Sequence, residues 1–219
     1  MHRFEPAQAP QHARQMHAIA HGDHEAHFQR CIATTALRHL HVLDARTAAV
    51  LAESFASAAP EWKQRLIQDE SQAQCSAAQG RPTAEVARAL VQGQQSTLKF
   101  PADGLIGDWK RGEKIAQSGV GLQYSDKPGT VPGGNCYACH QITKAEIAHG
   151  TIGPSLLGYG KARGNSEAMQ KYTYGKIYNA QAYMPCSLMP RFGHKNILDE
   201  QQIKDLTALL LDPASPVNQ

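Results

Sequence analysis

The sequence predicts an all-α fold: a compact C-terminal domain over residues 101–219, preceded by a helical extension over 46–100 and a His-rich segment over 1–45. Three observations carry this. Apolar residues recur at helical spacing in short pieces, no segment shows the sustained alternation of a half-buried strand, and capping residues stand before several of the apolar runs.

In chain order, the first 45 residues hold eight of the 11 histidines (His2, His12, His17, His21, His24, His27, His39 and His41). So little apolar material accompanies them that the segment reads as a flexible tail rather than a metal site. From Thr47 the spacing predicts three short helices. The first carries Val50, Leu51 and Phe55; the second, after Pro60, carries Trp62, Leu66 and Ile67 and runs to Cys75; the third, after Thr83, carries Val86 and Leu90. "GRP" at 80–82 separates the last two, and "FPADG" at 100–104 closes the region as a turn. Asp108 is a cap for a helix with Trp109, Ile115 and Ala116. The last helix has Asp199 and Gln202 as a capping box, Ile203, Leu206 and Leu210 on one face, and Pro213 beyond its end. Between these two helices lies a long Gly- and Pro-rich stretch, which a compact domain tolerates best when it wraps something.

Composition narrows the function. A formal charge of +3, without a dense Lys/Arg run, is too mild for a nucleic-acid-binding protein. No apolar run approaches the ~20 residues of a membrane span. Residues 1–28 lack the hydrophobic core of a secretory signal. Aromatics are 6% of the chain, so the core is aliphatic unless a cofactor adds apolar volume.

The chemistry-bearing motif is "GGNCYACHQ", with Cys136, Cys139 and His140 in C-x-x-C-H spacing. Two thiols one turn apart can add across the vinyl groups of haem while the adjacent imidazole ligates iron. Zinc is a rival, since the cysteines make half a tetrahedral site, but no second C-x-x-C pair completes it. A redox dithiol is another, but it wants a βαβ context that this sequence lacks. For the opposite face of a haem the sequence offers Met189 in "MPRFG" and Met184 in "YMPCS". Met189 is preferred because its loop immediately precedes the last helix and can swing over the site. On the histidine side, Pro154 follows Gly153 in "GTIGPSLLGYG", and its carbonyl can accept the second ring N–H of His140. Leu156 and Leu157 would pack on the haem edge, and Tyr172, Tyr174 and Tyr178 read as core or surface aromatics.

Five segments in order, "ADGLIGDWKRGEKIAQSG", "GGNCYACHQ", "GTIGPSLLGYGKARG", "KYTYGKIYNAQAYMPCSLMPRFG" and "LLLDPASPVN", make the stretch from Thr47 to Asn218 resemble SoxX, the small c-type cytochrome of the SoxAX thiosulfate-oxidation complex. The resemblance implies a class I cytochrome c fold with one covalent haem c, attached at Cys136 and Cys139 and ligated by His140 and Met189. It also implies an electron-relay role in an L-cysteine S-thiosulfotransferase, where the catalytic haem, with its cysteine ligand, belongs to a SoxA-like partner. The other partners are a SoxYZ-like carrier, whose cysteine receives thiosulfate, and a soluble cytochrome c acceptor. Periplasmic localisation is expected from the resemblance alone, and with it a replaced or processed N-terminus. Two alternatives remain: a free-standing periplasmic shuttle, and a chain that is itself catalytic, with an iron either open or ligated by Cys186.

Three cysteines remain beside the C-x-x-C pair, so at most one disulfide can form among them. Cys31 lies outside the segments that carry the resemblance. A Cys75–Cys186 bridge would staple the extension to the Met189 loop.

Overall fold

The structure is a computed structural model and describes residues 45–219; the histidines before position 42 and Cys31 lie outside the described residues. The chain divides into two compact units, Met1–Ile67 and Gln68–Gln219. In the first, the described residues form a helix at 45–54 (α1) and a second, α2, at Pro60–Arg65, with Pro60 in the first turn, where its missing N–H costs nothing. The second unit contains α3 (Glu70–Ala77), α4 (Ala84–Gln95), α5 (Trp109–Gln117), α6 (Tyr159–Arg163), α7 (Glu167–Tyr178) and α8 (Glu200–Leu211). Single 3-10 turns occur at Cys136–Ala138, Ala180–Ala182 and Pro216–Asn218. Among the described residues there is no β-strand.

One sequence expectation changes here. The Trp62 helix does not reach Cys75: α2 ends at Arg65, and Asp69 starts a new helix with a complete capping box, accepting from the Gln72 N–H while the Gln72 side chain accepts from the Asp69 N–H. That box satisfies two backbone donors that a continuous helix would have consumed, so the chain restarts rather than continues. In addition, α3 and α4 of the expected extension share one unit with the residues beyond 101.

The centre of the second unit is the crossing of α5 over α8. Gly112 permits it, since a Cβ there would stand 2.2 Å from the Asp205 carbonyl oxygen. Residues Gln202 to Leu211 are all buried, so α8 is enclosed on every face and its polar side chains need partners. Asp205 accepts from Arg111 Nε (2.7 Å) and Nη2 (2.8 Å), from the Asp108 N–H (2.8 Å) and from Gln201 (2.9 Å). Burial alone would raise its pKa, but these donors outweigh it and hold the carboxyl below the usual range. Lys204 pairs with Asp103 and Glu200. Around the crossing pack Leu105, Ala116, Ile142, Tyr174, Ile177, Phe192, Leu198 and Val217. Each large apolar side chain fully buried there stabilises by about 1.5–3 kcal/mol.

Helix α7 is the element that the sequence hides. Ser166 caps its start by accepting from the Met169 N–H, and Tyr174 is buried within it at 1% exposure, 6.2 Å from the Tyr178 ring and 5.9 Å from that of Phe100. The C-terminal motif acts through Asn218, whose Oδ1 accepts from the Gly160 and Lys161 N–H groups at the start of α6 while its Nδ2 donates to the Leu210 and Asp212 carbonyls.

Cys75 on α3 and Cys186 form a disulfide, with Cα atoms 5.4 Å apart and a sequence separation of 111. Closing so long a loop removes unfolded-state freedom worth about 4–5 kcal/mol in the chain-entropy model. Reduction should therefore lower the denaturant midpoint without unfolding the protein at neutral pH; an identical midpoint with and without reductant would show that the bridge adds no stability.

Candidate haem site

The segment that bears C-x-x-C-H is shaped by short-range hydrogen bonds. Gly133 and Gly134 donate to the Val120 and Ile115 carbonyls, which fastens the segment to the end of α5. Asn135 then adopts a left-handed conformation (φ 44°), and the 3-10 turn at Cys136 follows. The Cys136 carbonyl accepts from both Cys139 N–H (3.1 Å) and His140 N–H (2.9 Å), so the two thiols and the imidazole issue from one tight turn. Both thiols are free and half-buried. Burial, and secondarily the neighbouring Cys139, push the Cys136 thiol up to about 12, so it is a neutral thiol rather than a thiolate at neutral pH. Tyr137 turns inward, 7% exposed, with its hydroxyl 3.4 Å from Thr143 Oγ1.

A second strip of chain lies along this turn. Gly150 donates to the Tyr137 carbonyl (2.8 Å), Gly153 to that of Cys139 (2.8 Å) and Leu156 to that of Gln141 (2.7 Å). The strip presents the Pro154 carbonyl 2.7 Å from His140 Nδ1. A carbonyl can only accept, so Nδ1 carries the proton and Nε2 is left with its lone pair. Gly153 is required for this approach: a Cβ there would lie 2.2 Å from His140 Cε1.

Met189 and Met184 differ in setting. Met184 is 59% exposed, whereas Met189 is partly buried against the main core and its N–H donates to Ser187 Oγ (3.3 Å). The loop from 184 to 195 is fixed by contacts with no local sequence signal. Arg191, 5% exposed, donates to Asp69 Oδ2 (2.6 Å) and to Gln94 Oε1 (3.2 Å), and Lys195 pairs with the same Asp69 oxygen (2.6 Å). Burial opposes ionisation of Asp69, but Lys195, the Gln72 N–H and Arg191 together depress its pKa to about 2. The Ser71 hydroxyl donates to Gln181 Oε1 (2.7 Å), and Asn179 Nδ2 donates to Gln94 (3.0 Å) and Thr97 (2.9 Å). Cys186 is spent in the disulfide and has no thiolate to offer iron, which removes the Cys-ligated catalytic alternative. Among the described residues no three His, Cys, Asp or Glu side chains converge as a metal-binding group.

The cytochrome c family model matches residues 110–212. An uncharacterized lipoprotein of Aquifex aeolicus (strain VF5) is 40% identical over 161 residues, which is 72% of this chain and 76% of that protein. The chain contains a cytochrome c domain. Its all-α architecture is that of a class I cytochrome c, and the family carries covalently attached haem c and transfers electrons. The residues present in this cytochrome c suit such a group. Two unpaired thiols leave one turn beside an imidazole with a free Nε2. Apolar side chains beside the motifs also stand open to solvent: Ile152, next to Gly153, is 73% exposed and Leu188, next to Met189, is 86% exposed. Single exposed apolar residues are ordinary on a protein surface, so the fit rests on the two thiols and the oriented imidazole. Of the expected edge contacts, Leu156 packs on the core and Leu157 is half-buried. No helix among the described residues is long and apolar enough to cross a membrane.

Two outcomes follow from these contacts. Gly153→Ala should displace the His140 ring, at a cost of about 1–3 kcal/mol, and abolish the downfield Nδ1–H proton resonance; a retained resonance would show that the strip can yield. Acid should act on the Met189 loop in two stages. His194 has a pKa lowered from 6.5 by burial and by Arg191 and Lys195, so the unfolded chain binds its proton more readily and stability falls as pH drops below 6.5. Asp69, with a folded pKa of about 2 against 3.8, contributes stability that is full above about pH 4 and lost as pH falls towards 2. Urea midpoints of Asp69→Asn should therefore lack the lower stage and keep the upper one.

Proposed function

We propose that this cytochrome c is the electron-relay subunit of a SoxAX-like L-cysteine S-thiosulfotransferase, taking up electrons released when thiosulfate is joined to a carrier-protein cysteine. In this reading Cys136 and Cys139 attach one haem c, and His140 and Met189 ligate its iron. When bound, haem iron supplies one-electron redox chemistry. The chain's own residues set the terms. The Pro154 carbonyl fixes the His140 ring and makes it a better donor, and a Met sulfur on the other side favours the reduced state, as an electron acceptor requires.

The observation that carries electron transfer rather than catalysis is the pairing of an oriented His140 with a Cys186 locked in a disulfide. The disulfide removes Cys186 as a ligand, and with His140 and Met189 on the iron no coordination position would be left for a substrate. The ordered motifs that resemble SoxX support the thiosulfate role, and with it a SoxA-like catalytic subunit, a SoxYZ-like carrier and a soluble cytochrome c acceptor. A periplasmic setting fits covalent haem attachment, which in bacteria occurs outside the cytoplasm. The Aquifex relative's description as a lipoprotein agrees with that side of the membrane.

The test is the full chain, matured by a c-type cytochrome assembly system. Its intact mass should exceed that of the polypeptide by one haem, and acid acetone should leave the colour on the protein. Met189→Leu should abolish the Met–Fe(III) charge-transfer band and lower the reduction potential, with Met184→Leu unchanged in both; the reverse pattern would move the ligand to Met184. The protein should co-purify with a second haem-bearing subunit from its source. Alone it should exchange electrons with small mediators yet form no thiosulfate–cysteine conjugate, and turnover by the isolated chain would overturn the division of labour.

A further inference from the structure

We infer that α3 is the positioning element for the methionine loop, holding it from both sides of Met189 through two chemically different anchors. The inference rests on the reading of Met189 as an iron ligand. Three residues before Met189, Cys186 is bonded to Cys75 in the second half of α3. Two residues after it, the Arg191 guanidinium is bound by Asp69, the N-cap of the same helix. One covalent bond and one nearly buried ion pair therefore strap the segment 186–191 to a single eight-residue helix.

The straps bracket a loop that borders an open cavity of about 420 Å³, lined among others by Met189, Cys186, Cys75, Gln72, Gln181 and Lys195. Cys186 itself has a left-handed backbone (φ 58°), a conformation non-glycine residues hold only where the surroundings impose it. The bridge to Cys75 holds that residue, and the Gln181 amide, which accepts from Ser71 on α3, donates to the next carbonyl, that of Ser187 (3.5 Å). On the other side Arg191 is 5% exposed, so its charge must keep its partner: Asp69 takes one nitrogen and Gln94 another.

Asp69 has two roles that substitution can separate. Asparagine caps helices as well as aspartate does, so Asp69→Asn keeps α3 started while removing the anion that Arg191 and Lys195 share. Gln72→Ala breaks the capping box without touching the ion pair. The experiment uses the full haem-loaded chain and two readouts. One is amide hydrogen exchange over 187–191, which senses loop opening whichever group ligates iron. The other is the rate at which added imidazole binds the ferric protein, which senses ligand release. Asp69→Asn should raise both by at least tenfold, Asp69→Glu should restore much of the original rate, and Gln72→Ala should change neither by more than about twofold. Reducing Cys75–Cys186 in the folded protein should raise both again, and in Asp69→Asn more than in either alone.

Unchanged exchange over 187–191 in folded Asp69→Asn and in the reduced protein would overturn the positioning role. Should Asp69→Asn fail to fold, the reduced protein decides on its own, since only the upstream strap is then cut. Raised amide exchange with an unchanged imidazole rate would leave the anchoring intact and refute Met189 as the ligand, so the two readings fail in different ways.

Discussion

Everything that bears on the candidate site hangs between two helices that meet at Asp205. The carboxylate sits at the α5–α8 crossing, where Gly112 lets the backbones touch and Arg111 supplies the countercharge. Helix α5 holds the start of the Cys136 turn through the Ile115 carbonyl, which accepts from the Gly134 N–H, and α8 is capped by Asp199, ten residues after Met189. The crossing thus closes the stretch 118–198 into one loop with both of its ends on a common core. A like-for-like replacement of Asp205 is hard to imagine, because the site has four donors converging on two oxygens. Removing the acceptor would leave the half-buried Asp108 N–H without its partner, whereas the exposed Arg111 and Gln201 side chains can turn to water.

How far the sequence can be read depends on the range of the interactions. The helices with capping signals, those begun by Thr83, Asp108 and Asp199, are legible because a cap and its N–H donor stand three residues apart or fewer. The contact of His140 with Pro154 is legible for a related reason: fourteen residues and a glycine leave few places for that carbonyl. Helix α7 is not legible, since its inward residues Thr173, Tyr174, Gly175 and Ile177 form no apolar stripe and its burial is decided by neighbours on α8. The break between α2 and α3 escapes for the opposite reason. Asp69 and Gln72 do carry a capping-box pattern, but the apolar run from Trp62 towards Cys75 reads as continuous unless the box is weighed first. The Asp69–Arg191 pair spans 122 residues, and no spacing rule reaches that far. The cysteines are the exception among long-range contacts, because counting thiols limits partners without any geometry.

The two sides of the site are consequently built by different physics. On the histidine side, the turn at 136–140 and the strip at 150–156 are backbone against backbone, and the Pro154 carbonyl follows once those ladder bonds form. Such an arrangement is fixed by chain geometry and needs little from the rest of the fold. On the methionine side, no backbone ladder pins residues 187–190. Position there comes from a disulfide, an ion pair and side-chain hydrogen bonds reaching back to α3 and α4. A side chain held in that way can be released by cutting a few named contacts, whereas the histidine cannot be freed without unfolding its turn. With Met189 as the proposed iron ligand, this asymmetry would place redox tuning on the side that the helices outside the family-matched core reach. Helices α3 and α4 lie outside residues 110–212, the span that the cytochrome c family defines. Their presence is thus explained by what they hold rather than by what the fold requires.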